Sequence, residues 1–139
     1  QMKLHDLYKK LLNFRLNSDA INKGAFYDLM WVNPWHSNFD PQYVYAFLRY
    51  HEEERLLVVI NFNQNESRYC EVKIAEDALD YMNMKLSTDN RQHTTDDSSQ
   101  QKIAMDILTG EKIEYDLEEV STRGIALNLE PCGIKILKL

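Results

Sequence analysis

Positive charge is in deficit in this 139-residue sequence: 16 Lys and Arg stand against 22 Asp and Glu, a formal net charge of −6. Binding nucleic acid or an anionic membrane requires a basic surface that neutralises phosphate, so neither partner is expected. Cysteine is nearly absent. Cys70 and Cys132 are too few for a disulfide framework and show no CxxC spacing, so two buried free thiols are expected. No run approaches the roughly 20 apolar residues of a membrane span. Residues 1–20 are amphipathic and charged, unlike a secretory signal, and no compartment can be assigned.

The usual signatures of chemistry are missing too. The sequence has no GxSxG elbow, no GxxxxGK[ST] phosphate cradle and no GxGxxG after a strand. His5, His36, His51 and His93 have no second ligand at metal-binding spacing, so no metal and no cofactor are expected. Carboxylates are plentiful, and a glycosidase needs only two of them facing each other across a sugar. Sequence alone does not pair them, and Glu52, Glu53 and Glu54 fall in an expected turn where solvated charge is the plain role.

What is present is the composition of one folded domain, with 44% hydrophobic and 27% charged residues. From Lys3 to Leu16, apolar Leu4, Leu7, Tyr8, Leu11 and Leu12 fall at i, i+3, i+4, i+7 and i+8, one stripe of an amphipathic helix. Ser18 can cap a short further turn, and Gly24 can end it by taking the left-handed conformation. The period then switches from 3.6 to 2, the mark of strands. Strands are expected at Ala25–Trp31, Tyr43–His51, Arg55–Asn63, Arg68–Ile74, Ile103–Leu108, Lys112–Leu117, Gly124–Leu129 and Gly133–Leu139, with helical turns over Glu76–Met84. In the third of these strands, Leu56, Val58, Ile60 and Phe62 line one face and Leu57 and Val59 the other, the pattern of a central strand. Ser87–Lys102 has no aliphatic residue and no Phe, Tyr or Trp, so a flexible loop is expected there.

One local feature suits a ligand. Trp31, Trp35, Phe39, Tyr43 and Tyr45 are close in sequence, and sugar rings stack their C–H faces on aromatic planes. The competing reading is that these rings fill the core or an interdomain contact. Asn65-Glu66-Ser67 is a formal glycosylation sequon of a very common type.

Four segments together resemble one known family. LYKKLLNFRLNSDAINKGAF, from Leu7, is similar to the last barrel helix and exit of α-amylase-family enzymes, glycoside hydrolase family 13. YVYAFLRYHEEERLLVVINFN looks like the hairpin of their C-terminal domain, an aromatic-rich strand followed by an apolar strand ending in Asn-Phe. DILTGEKI and LNLEPCGIKILKL look like the later strands, and the match runs from about Leu7 to Leu139 with a gap at Ser87–Lys102.

The resemblance implies a mainly β, antiparallel Greek-key sandwich over residues 24–139, with 1–23 as the terminal helix of a catalytic barrel outside this sequence. In that family the catalytic Asp, Glu and second Asp stand on barrel strands upstream of this helix, so no catalytic residue carries over. The implied role is a non-catalytic domain that packs on and stabilises the barrel of the same polypeptide, which cleaves α-glucans. Leu4, Leu7 and Leu11 would then face the barrel. Without it, the stripe that includes Leu12 should fold back on the sandwich or pair with a second copy as a homodimer. The alternative is a carbohydrate-binding module that holds starch-like glucans through Trp31, Trp35 and Tyr43. A stand-alone small enzyme is disfavoured by the lack of any nucleophile or metal constellation.

Overall fold

The computed structural model describes residues 4–34, 36–84 and 101–139. Helices α1 (Leu4–Asn17) and α2 (Asp19–Asn22) lead into strands β1 (Ala25–Asp28), β2 (Val44–His51), β3 (Glu54–Asn61) and β4 (Arg68–Val72). After α3 (Glu76–Tyr81) come β5 (Gln101–Asp106), β6 (Lys112–Asp116), β7 (Ile125–Leu129) and β8 (Ile134–Lys138). Six strands pair in the order β1-β2-β3-β8-β5-β6, while β4 and β7 form a second sheet, and every pairing is antiparallel. The chain leaves the large sheet after β3 to make β4, rejoins it for β5 and β6, crosses again to make β7, and returns to lay β8 between β3 and β5. This is a Greek-key route, and it closes a β-sandwich as expected.

Strand β3 shows why two layers are not enough. Leu57 and Val59 enter the main core with Ala46 and Leu48 of β2, Cys70 and Val72 of β4, Ile125 and Leu127 of β7 and Leu137 of β8. Leu56 and Val58 point the other way and join Ile136 of β8 in a second cluster on the outer face of the large sheet. That face also needs a cover. Leu7, Leu11 and Phe14 of α1, with Ala20 and Ile21 of α2, supply it. Fully burying one leucine contributes about 1.5–3 kcal/mol, so the outer cluster is a substantial part of the fold.

The helices are fixed by the β2–β3 hairpin. Glu54 was expected to be a solvated turn charge; instead it opens β3 opposite His51, and the turn proper is Glu52-Glu53, with Glu52 at φ 54°. The Ser18 hydroxyl and the Ala20 N–H both donate to Glu54 Oε1, at 3.0 and 2.6 Å. Ser18 Oγ in turn accepts from the Ile21 N–H at 3.2 Å, the expected cap. At the other end of α2, Arg49 of β2 donates to the carbonyls of Ala20 and Ile21 at 3.2 and 2.6 Å. A carboxylate at the amino end and a guanidinium at the carboxyl end both match the helix polarity. Gly24 ends the helix for a different reason from the one expected. It is not among the residues with positive φ; a Cβ here would sit 2.2 Å from the Ala20 carbonyl oxygen and 2.6 Å from that of Tyr50. Close backbone approach, not handedness, requires glycine.

The Asn-Phe end of β3 also finds a physical role. Buried Asn61 donates its amide to the carbonyls of Glu66 and Glu130, each at 3.0 Å, and accepts from the Asn63 N–H. One side chain thereby joins the β3–β4 and β7–β8 connections. Phe62, expected on the apolar face, lies past the strand end and is exposed. Strand β5 starts at Gln101, so Gln101 and Lys102 belong to a strand and not to the expected loop; residues 87–100 lie outside the described residues.

Two outcomes follow from this packing. Glu54→Ala should lower unfolding free energy by about 2 kcal/mol, because it orphans a cap hydroxyl and an amide, and Glu54→Gln should lose less. Denaturant melts of the two variants check this, and an unchanged midpoint for Glu54→Ala would contradict it. Burial also pushes the Cys70 thiol from 9.0 up to about 12, whereas Cys132, also expected to be buried, is exposed in the turn before β8. A raised acid favours its neutral form in the folded state, so this contribution is complete below pH 9.0 and is lost as pH rises toward about 12. A thiol reagent should therefore modify Cys132 in the folded chain and Cys70 only when the chain unfolds.

Candidate functional site

The aromatic span between β1 and β2 divides into unequal parts. Buried Asn33 pins it: its amide donates to the carbonyls of Leu29 and Lys73, and its Oδ1 accepts from the Lys73 N–H at 2.7 Å. Trp31 stands 58% exposed, with its ring centroid 6.5 Å from that of Tyr27. Trp35 lies outside the described residues. Tyr43 carries the Arg68 guanidinium 4.3 Å from its ring centroid, and Arg68 is held there by Asp40 at 3.1 Å. One face of Tyr43 is thus occupied by a cation. Phe39 is buried in the main core, as the competing reading had it.

Sequence reading passed over Tyr27. Its hydroxyl donates to Asp77 Oδ1 of α3 at 2.7 Å. Burial first, and the Asp77 carboxylate second, raise this phenol from 10.0 to about 12, while a hydrogen bond with Trp31 opposes the rise. Tyr50 of β2 is the diagonal neighbour of Tyr27 across the β1–β2 ladder. Burial raises its phenol as well, and Tyr81 adds to the effect. Tyr81 follows Asp77 by four residues, one turn along α3, and is 68% exposed. The alternation of β1 was readable, but nothing in the sequence links Tyr27 to a carboxylate fifty positions away.

Helix α1 is apolar on two sides. Leu7 and Leu11, expected to face a barrel, instead pack with Phe14 on the outer cluster of the sandwich, because the exposed apolar face of β3 and β8 lies directly beneath them. The side chain of Leu4 lies outside what is described. Lys10 Nζ donates to the Leu108 carbonyl at 2.9 Å, tying the helix to the β5–β6 turn. The second side, Tyr8, Leu12 and Leu16 at i, i+4 and i+8, is 59%, 56% and 77% exposed. Among the described residues, no group of three or more His, Cys, Asp or Glu is placed to hold a metal ion, and no helix is long and apolar enough to cross a membrane.

Comparison with curated protein sequences returns no match. Among solved structures, the chain is similar to AmyP in complex with maltose, at a TM-score of 0.60 and 14% identity over 96% of this chain and 20% of that one. It is likewise similar to the α-amylase of Geobacillus thermoleovorans complexed with acarbose, at a TM-score of 0.60 and 15% identity over 99% of this chain and 24% of that one. An isomaltulose synthase mutant from Erwinia rhapontici, in complex with D-glucose, matches at a TM-score of 0.51 and 24% identity, over 95% and 17%. The chain thus spans 17% to 24% of the length of these structures, and at such identities they establish the fold. The family model described as "Alpha amylase, C-terminal all-beta domain" matches residues 35–128, two thirds of the sequence. On that match, and with the six-plus-two-stranded sandwich in agreement, the chain belongs to the α-amylase C-terminal all-β domain family.

Proposed function

We propose that this chain serves as the non-catalytic C-terminal domain of an α-amylase-like glycoside hydrolase, packing on and stabilising a barrel that cleaves α-glucans. The observation that carries this reading is the two-sided helix. One side of α1 is spent on the sandwich, and Tyr8, Leu12 and Leu16 remain as a second apolar stripe. A helix apolar on both sides belongs between two packed bodies. The relatives of matching fold are several times longer than this chain, which agrees with a second body.

The polar groups support a structural role as well. Glycoside hydrolysis needs two carboxylates flanking a sugar bond. Here Glu54 caps α2, Asp106 is buried and accepts from the Leu108 N–H and the Thr109 hydroxyl, and Asp40 holds Arg68. These carboxylates are engaged in holding turns and helix ends.

The test compares two settings of one double variant. In the complete polypeptide with its barrel, Leu12→Ser with Leu16→Ser should destabilise the barrel by about 2–4 kcal/mol, seen as a lower Tm of the enzyme. In the 139-residue chain alone the same pair should shift stability by less than about 0.5 kcal/mol, as exposed positions do. The chain alone should release no reducing sugar from starch. Equal effects in both settings, or hydrolysis abolished by mutating one of its own carboxylates, would count against the reading.

A further inference from the structure

We infer that the β1 edge of the sandwich carries a sugar-binding surface built from Tyr27, Trp31, Asp77 and Tyr81, taking a ring of an uncharged oligosaccharide. The surface stands independently of barrel packing. Tyr27 and Tyr50 pack toward the main core, on the inner face of the large sheet, while α1 covers the outer face, so both surfaces can be filled at once.

Four observations converge. Two large rings at this edge, Trp31 and Tyr81, are 58% and 68% exposed, although each has apolar area that folding ordinarily buries. Beside Trp31 sits a polar pair, Tyr27 donating to Asp77 Oδ1 at 2.7 Å, and Tyr81 follows Asp77 by four residues on α3. A carboxylate has about four lone-pair sites, so Asp77, exposed on α3, retains acceptor capacity beyond the bond from Tyr27. The rings are also linked. Trp31 has its ring centroid 6.5 Å from that of Tyr27, Tyr27 donates to Asp77, and Tyr81 lies one turn from Asp77 on α3.

The chemistry selects an uncharged polyol. Aromatic faces meet C–H groups, and a carboxylate accepts hydroxyls. Glu76, Asp77 and Asp80 crowd α3 and the chain carries a net charge of −6, which repels phosphate and other anions. Tyr43 is left out, since Arg68 already occupies one of its faces.

Saturation-transfer NMR of maltotriose with the 139-residue chain tests the site, with a lysine-rich peptide as the competing ligand class. Maltotriose should bind, and Trp31→Ala and Tyr81→Ala should each weaken it about 2- to 12-fold, the usual range for one lost ring contact. Tyr43→Ala should leave binding unchanged. Tyr81 is exposed at the end of α3, so its variant keeps the test sound even if Trp31→Ala disturbs the loop. No saturation transfer to maltotriose, transfer insensitive to Tyr81→Ala, or binding of the peptide in place of the sugar would each overturn the inference.

Discussion

Strand β3 is apolar on both faces, and the rest of the architecture answers that constraint. An antiparallel strand with one wet face needs a single neighbouring layer; this one needs two. The small sheet of β4 and β7 covers Leu57 and Val59, and α1 with α2 covers Leu56 and Val58. The helical segment is therefore a working layer of the domain. Its position follows from the hairpin, whose Arg49 and Glu54 hold the two ends of α2 and so set where α1 can lie.

That arrangement leaves the domain two exposed surfaces with different physics. The outward stripe of α1 is aliphatic and helical, suited to packing against another folded body. The β1 edge combines exposed rings with an ordered hydroxyl–carboxylate pair, suited to a small polar ligand. A strand edge is ordinarily a hazard because its unpaired backbone invites another strand. Here β1 is only four residues long, which limits that hazard while still presenting Tyr27.

Much of this was legible from residue order. The alternation at Leu56–Ile60 identified a central strand, the stripe at Leu4–Leu12 identified a helix, and Ser18 was readable as a cap. What escaped shares one property: each missed feature depends on a partner far along the chain. Glu54 looked like one of three turn acids because its ligands lie thirty-four and thirty-six positions earlier, at Ala20 and Ser18. Gly24 looked like a left-handed cap because the Tyr50 carbonyl that crowds it belongs to the neighbouring strand. The Tyr27–Asp77 pair was invisible for the same reason. The family resemblance implied that Leu7 and Leu11 face a barrel, and periodicity could not correct this, because it shows that a helix has an apolar stripe without showing what lies beneath it.

The order of strands in the large sheet also bears on how the chain reaches this state. Strand β8 lies between β3 and β5, pairing with both, although it is the last strand in sequence. The β1–β2–β3 meander and the β5–β6 hairpin can each form from local contacts, but they have no shared ladder until β8 is in place. Joining β3 to β8 spans some eighty residues, and contacts of such separation cost loop-closure entropy before they return any stability. During synthesis β8 emerges after both of its neighbours, so the ladders on the β3 and β5 edges that it completes can form only once it is present.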